Sequence, residues 1–326
     1  MIELSMVCSD YDITSPLISG QVRPEGIDLT VVPLMPHERQ QRLSRYPEFD
    51  ISEFSIAVYL TSFQRPEFPY IAIPVFPLRC FRHGAFFVRS DSDIRSPEDL
   101  RGKKVGVTGY INSAAIWGRA MLQHEHGVKP SEIEWWSELP EYVAWDPPKD
   151  IRVEQSNVMV EDLLAAGKID AMLYPKVPPG AKPGGPLKRL LPDYKQRETA
   201  FFKKHRYVPI MHVVIIRKAV LENHPWVAWS MWKAFREAKR ICLQSLKDHI
   251  NYSSQIWLGH AVEEQISVLG EDPFPYSIEE NEECLRAAVR HAVEQGLLKD
   301  EVDIKSLFFQ TTQNASLPSA VSRYRV

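Results

Sequence analysis

Apolar positions along the chain fall in two patterns, short unbroken runs and runs spaced by three or four, and the two patterns alternate. That order predicts strands interleaved with helices, an α/β fold. Ile2–Val7 and Leu29–Pro33 predict the first strands, with Arg23-Pro24-Glu25-Gly26 as a turn. Phe49–Ile51 predicts a short strand that runs into a helix over Glu53–Phe63. A β-rich passage follows, Tyr70–Phe76 and Gly84–Val88, divided by the polar knot Arg79-Cys80-Phe81-Arg82-His83. Ser96-Pro97-Glu98-Asp99 carries a helix start, with serine as cap and proline in the first turn. Lys104–Thr108 predicts a strand, and Asn112 or Ser113 caps a helix that ends at Gly127. Val158–Ala166 predicts a helix closed by Gly167, with Ile169–Leu173 as its partner strand. His212–Arg217 is an unbroken apolar run of the kind buried on both faces. A long helix starts near Pro225, and Ser277-x-x-Glu280 is a capping box for the last one.

Composition narrows the class. The 326 residues exceed one domain of about 150 and predict two. With 44% hydrophobic and 25% charged residues, wholesale disorder is excluded. Thirty-nine basic against 42 acidic residues leave a net charge of −3 and no basic stripe, so no nucleic-acid partner is expected. No apolar stretch reaches the roughly 18 residues of a membrane span, so no membrane partner is expected either. The first residues, MIELSMVCSDYDIT, show no cationic segment followed by an apolar run, so no secretory leader is expected. Cys8, Cys80, Cys242 and Cys284 are scattered and form no CxxC, which fits free thiols in a reducing cytoplasm. A homo-oligomer is left open.

Several longer phrases carry a resemblance. SDYDITSPLISGQVRPEGIDLTVVPL, EFDISEFSIAVYL, PYIAIPVFPLRCFRHGAFFVRSD, RSPEDLRGKKVGV, PIMHVVIIRKAVLENHPWVAWSMWKAFREAKR and LGEDPFPYSIEENEECLRAAVRHAVEQGLL together resemble the 4,5-dihydroxyphthalate decarboxylase family, over roughly residues 5–300. The resemblance implies a two-lobed type II periplasmic-binding-protein-like fold with a central cleft. The first lobe would comprise residues 1–90 and 213–326 and the second 91–212, with crossings near Arg89–Asp93 and Pro209–His212. It implies decarboxylation of a dihydroxylated aromatic acid, with a small aromatic carboxylate as substrate. A solute-binding protein of the same fold, holding a small anion without chemistry, is the alternative.

The chemistry sets what to look for. A para phenolate can push electrons toward the carbon that bears the carboxylate. Protonation there lets CO₂ leave as the ring recovers aromaticity, so no organic cofactor is required. A proton carrier and cations that orient carboxylates are required. His83 and His212 sit beside the two expected crossings, and histidine is the side chain whose unperturbed pKa allows proton exchange near neutrality. Each also reads plainly as a core histidine, and the resemblance favours the catalytic role. Glu53 follows a predicted strand end, where ligands collect in open α/β sheets, and could take a phenol proton as a catalytic group, or it merely begins a helix. Asp10 and Tyr11 follow the first strand in the same way. Arg79 and Arg82 could each fork onto a carboxylate, with Arg82 preferred. The helix start at Asn112 and Ser113 offers amides to an anion, and Tyr110 beside it offers a ring to stack on. A divalent metal on His83, His212 and Glu53 is left open. The remaining helical histidines, His124, His126, His205, His224, His249, His260 and His291, are expected to be solvated.

Overall fold

The structure, a computed structural model, describes residues 1–248 and 253–315. His249 lies outside the described residues. The chain opens with β1 (Ile2–Cys8), α1 (Ser15–Ile18), β2 (Ile27–Pro33), α2 (Pro36–Arg45), β3 (Ile51–Ser55), α3 (Ile56–Ser62) and β4 (Tyr70–Ile73). It continues through β5 (Phe86–Arg89), β6 (Lys104–Val107), α4 (Ser113–His126), β7 (Glu134–Ser137) and β8 (Arg152–Gln155). Then come α5 (Val160–Ala165), β9 (Ala171–Leu173), β10 (Leu187–Arg189), α6 (Tyr194–His205) and β11 (His212–Arg217). Four helices finish the described chain: α7 (Lys218–Asn223), α8 (Trp226–Asp248), α9 (Leu258–Leu269) and α10 (Glu282–Glu294).

Two sheets result, one in each lobe. The first has the order β2-β1-β3-β11-β4 and the second β10-β5-β9-β6-β7-β8. Within the first, β1 runs parallel to β2 and β3 while β11 returns antiparallel to β3 and β4. The carboxyl ends of β1 and β3 therefore share an edge with the amino end of β11. Strand pairing also places the boundary between lobes. β5 pairs with β9 and β10, so it belongs to the second sheet and not to a first lobe extending to residue 90. The outward crossing consequently falls at 74–82, earlier than Arg89–Asp93. The two crossing segments bridge one another at Arg79 and Ile210, with Met211 N donating to Leu78 O at 2.9 Å.

One apolar core runs through both lobes, from Met6 and Val214 to Val107 and Trp117, and a smaller cluster around Phe87, Leu164 and Met172 lines the second sheet. α4 packs tightly onto that sheet because Gly118 lacks a side chain. A Cβ there would stand 2.5 Å from Leu173 Cδ2.

The helix expected over Glu53–Phe63 begins three residues later. Ile51–Ser55 is strand throughout, and Ser55 caps α3 by accepting from Val58 N at 3.4 Å. Phe49–Ile51 lacked the length of a strand on its own. Pairing with β1 on one side and β11 on the other extends it through Glu53.

Candidate functional site

The β3–β11 register assembles a dyad. His212 stands opposite Ser55, and Glu53 stands opposite Val214. Paired residues share a face, so Glu53 and His212 are diagonal neighbours on it, within reach of long side chains. His212 Nδ1 meets Glu53 Oε1 directly. The turn after β1 supplies two further donors to the same carboxylate. Ser9 N donates to Oε2 at 2.7 Å, and Tyr11 Oη donates to Oε1 at 2.8 Å while lying 3.5 Å from His212 Nδ1. Arg39, in the first turn of α2, places Nη2 3.1 Å from Oε1, and both side chains of that pair are fully buried. Its Nη1 donates to Ser9 Oγ at 2.7 Å and Leu34 O at 3.2 Å.

These contacts set the charge states. Burial pushes the Glu53 carboxyl toward its neutral form. Arg39, His212 and the donated hydrogen bonds outweigh that and hold it at about 2. Burial also holds His212 below the usual imidazole range, opposed by Glu53 and reinforced by Arg39 and Arg82. An ionised Glu53 can only accept, so it selects the His212 tautomer with hydrogen on Nδ1. Among the described residues no protein group bonds Nε2, which is left to exchange a proton with a ligand. Burial and the Glu53 charge raise the Tyr11 phenol well above its usual range, so it remains a donor.

Arg82 completes the arrangement. It is 8% exposed, yet its contacts are a sulfur and a carbonyl: Nη2 to Met211 Sδ at 3.0 Å and Nη1 to Pro175 O at 3.4 Å. Its Nε has no partner, and no carboxylate pairs with it among the described residues. Burial lowers its hold on the proton, though a guanidinium stays charged. It also faces a cavity of about 360 Å³ lined by Tyr174, Lys176, Arg189, Tyr194 and Glu198. The dyad is not in that lining; Arg82 is, and its charge also acts on His212.

The other expected site residues are placed elsewhere. His83 lies in a short turn (His83–Ala85), with Nε2 3.1 Å from Glu125 Oε1 on α4 and its ring edge-on to Phe201. It pairs with Glu125 and not with Glu53 or His212, so the metal set His83, His212 and Glu53 is not assembled. Arg79 donates to Val208 O, Pro275 O and Asn281 Oδ1, which fasten the crossing to the segment before α10, while its Nε has no partner among the described residues and it lines the same cavity as Arg82. Asn112 is the α4 cap, its Oδ1 accepting from Ala115 N at 2.7 Å and its amide bonding Thr108 and Gly109. Ser113 Oγ donates to Met211 O at 2.5 Å and lies 2.7 Å from Ser55 Oγ, joining α4 to the first lobe. Tyr110 is fully buried and its ring is already stacked on Trp145, with centroids 4.9 Å apart. Asp10 is exposed and outside the cluster. Arg39 was missed at the sequence level, although it follows β2 as Tyr11 follows β1 and the same rule of strand ends points to it.

Known proteins resemble this chain at three levels. A 4,5-dihydroxyphthalate decarboxylase of Comamonas testosteroni is 32% identical across all of this chain and 99% of its own length. The chain belongs to the 4,5-dihydroxyphthalate decarboxylase family. A protein of the same name from Pseudomonas putida is 34% identical over 54% of this chain and 72% of its own. The family's fold is that of binding proteins: residues 23–176 match a model described as the ABC transporter, phosphonate, periplasmic substrate-binding protein. The aliphatic sulphonate binding protein SsuA of Escherichia coli superposes with a TM-score of 0.55 at 16% identity, covering 99% of this chain and 96% of that one. The alkanesulfonate-binding protein of Xanthomonas axonopodis pv. citri gives 0.56 at 13% identity, covering 94% and 97%. These likenesses establish the two-lobed fold of this family member.

Proposed function

We propose that the protein removes CO₂ from a dihydroxylated aromatic acid, with 4,5-dihydroxyphthalate as the first substrate to try, and that His212 carries the proton. The observation that supports this most directly is the buried Glu53–His212 pair, with Nε2 unclaimed, beside a buried guanidinium that lacks a carboxylate. Arg82 suits one substrate carboxylate as a bidentate partner. A dianion entering beside His212 brings negative charge that favours the imidazolium. Glu53 steadies that cation through Nδ1, and Arg39 keeps Glu53 ionised.

The reaction then follows from where the groups stand. The phenolate para to the leaving carboxylate pushes electrons to its carbon, and His212 Nε2 delivers a proton there. The carbon–carboxylate bond breaks, its electron pair restores the ring, and CO₂ departs. One proton is consumed for each CO₂ released, so the neutral imidazole regains a proton from water. The ring itself holds the electrons, and this reading assigns no step to an organic cofactor or a metal.

The test is to incubate the protein with 4,5-dihydroxyphthalate in heavy water, following CO₂ release and deuterium in the 3,4-dihydroxybenzoate formed. We expect one deuterium at the vacated carbon for each CO₂. Tight binding with no turnover would overturn the reading in favour of the solute-binding alternative, which the fold alone fits as well.

A further inference from the structure

Away from the dyad, two helices bring three metal-competent side chains to one point. His124 lies in the last turn of α4, and His291 and Glu294 stand three residues apart on α10, on one face. Glu294 Oε2 is 2.8 Å from His124 Nε2 and 3.2 Å from His291 Nδ1. The three ligand atoms lie within 4.8 Å of one another. In a tetrahedral zinc site with bonds of about 2.0–2.1 Å, ligand atoms stand about 3.3 Å apart, so small side-chain shifts would close this set round an ion. His291 is not the solvated histidine expected from its helix: it is 5% exposed, with its ring edge-on to Trp117 at 5.4 Å between centroids. His124 is open to solvent and provides the way in.

We propose that His124, His291 and Glu294 form a divalent transition-metal site that clasps α4 of the second lobe to α10. Two imidazoles and one carboxylate suit zinc better than magnesium or calcium, which prefer oxygen ligands throughout. Both imidazoles already turn a ring nitrogen toward the Glu294 carboxylate, so the three ligand atoms converge on one point. Each imidazole would move its hydrogen to the other ring nitrogen as the ion replaces the bond to Glu294. Three protein ligands leave a fourth position for water, beside a cavity of about 280 Å³ that also holds His83, Lys204 and Tyr207. Because α10 packs on both α3 and α4, the ion would tie the second lobe to the first. Arg290 neighbours His291 and its charge opposes the cation, which favours moderate affinity.

The proposal is independent of the decarboxylase reading and is tested without turnover. Full-length protein stripped by chelator is titrated with zinc chloride in a calorimeter, beside His124→Ala and Glu294→Gln. His124 is exposed, so its replacement leaves the core filled. We expect one equivalent of zinc bound, affinity at least tenfold weaker in both variants, and a zinc-dependent rise in melting temperature in the native protein alone. Cobalt in place of zinc should give the visible absorption of a four-coordinate ion. Absence of saturable binding, full affinity retained in either variant, or loss of zinc on His212→Asn in place of His124→Ala would each overturn the site.

Discussion

His212 and His83 stand at the two crossings between the lobes and are about equally buried, yet their surroundings prepare them for different work. His212 leans on a carboxylate that is itself fully buried, charged, and held by Arg39, Ser9 and Tyr11. His83 leans on Glu125, whose side chain is 30% exposed and for which no second partner of that kind is seen among the described residues. A buried ionised carboxylate is costly unless several groups compensate it, and that compensation fixes tautomer and orientation. A half-exposed one costs little and imposes little. The difference teaches that a histidine's neighbours, and the burial of those neighbours, decide how firmly its tautomer and orientation are fixed.

The sharpest way to break the comparison is to exchange each ring for an amide. His212→Asn should lower kcat by about 10²–10⁴ while leaving KM close to native, as loss of a general acid does. The matched His83→Asn should stay within a few-fold of native turnover. Steady-state rates on 4,5-dihydroxyphthalate decide it: equal losses in both would erase the distinction.

Arg82→Ala should come next in size. If Arg82 receives a substrate carboxylate in a desolvated site, KM rises by an amount equivalent to about 2–5 kcal/mol, with kcat less affected. An unchanged KM would remove Arg82 from the substrate and leave it as a spacer between His212 and the neighbouring cavity.

The charge on Glu53 can be read through stability. An unfolded glutamate titrates near 4.3, whereas folded Glu53 titrates at about 2. The unfolded state therefore binds more protons between those values. The contribution of ionised Glu53 is fully present above about pH 4.3 and is lost as pH falls toward 2. Unfolding free energies from urea titrations across that window should fall by on the order of 2–3 kcal/mol less in Glu53→Gln than in the native chain. His83→Asn should leave the pH dependence across that window as in the native chain, whatever it costs in overall stability, because Glu53 and its donors are untouched.

Much of the fold was legible because its signals are local. Asn112 as cap and Gly127 in the left-handed region (φ 66°) bound α4 where the sequence places it. The run His212–Arg217 is buried along most of its length, as unbroken apolar text implies. The resemblance brought Glu53, Tyr11 and His212 to attention, and these lie together, with Arg82 near enough for its charge to act on His212. It brought Tyr110, Asn112 and Ser113 forward as well, and each of these is packed against or bonded to the protein itself. A hydrogen-bonding side chain looks alike in sequence whether a ligand or a carbonyl meets it.

Order along the chain was enough for the alternation of strands and helices, for the helix caps, and for the family, because each depends on residues within a few positions of one another. Three things depended on contacts between residues far apart. Sheet pairing decided that β5 belongs with the second lobe and that Glu53 sits in a strand. Register across β3 and β11 decided that His212, 159 positions away, faces that glutamate. Packing of α2 against the end of β1 decided that Arg39 would hold the carboxylate ionised. A strand's neighbours and a charge's compensation are set only when distant segments close on each other, and no local pattern encodes which ones will meet.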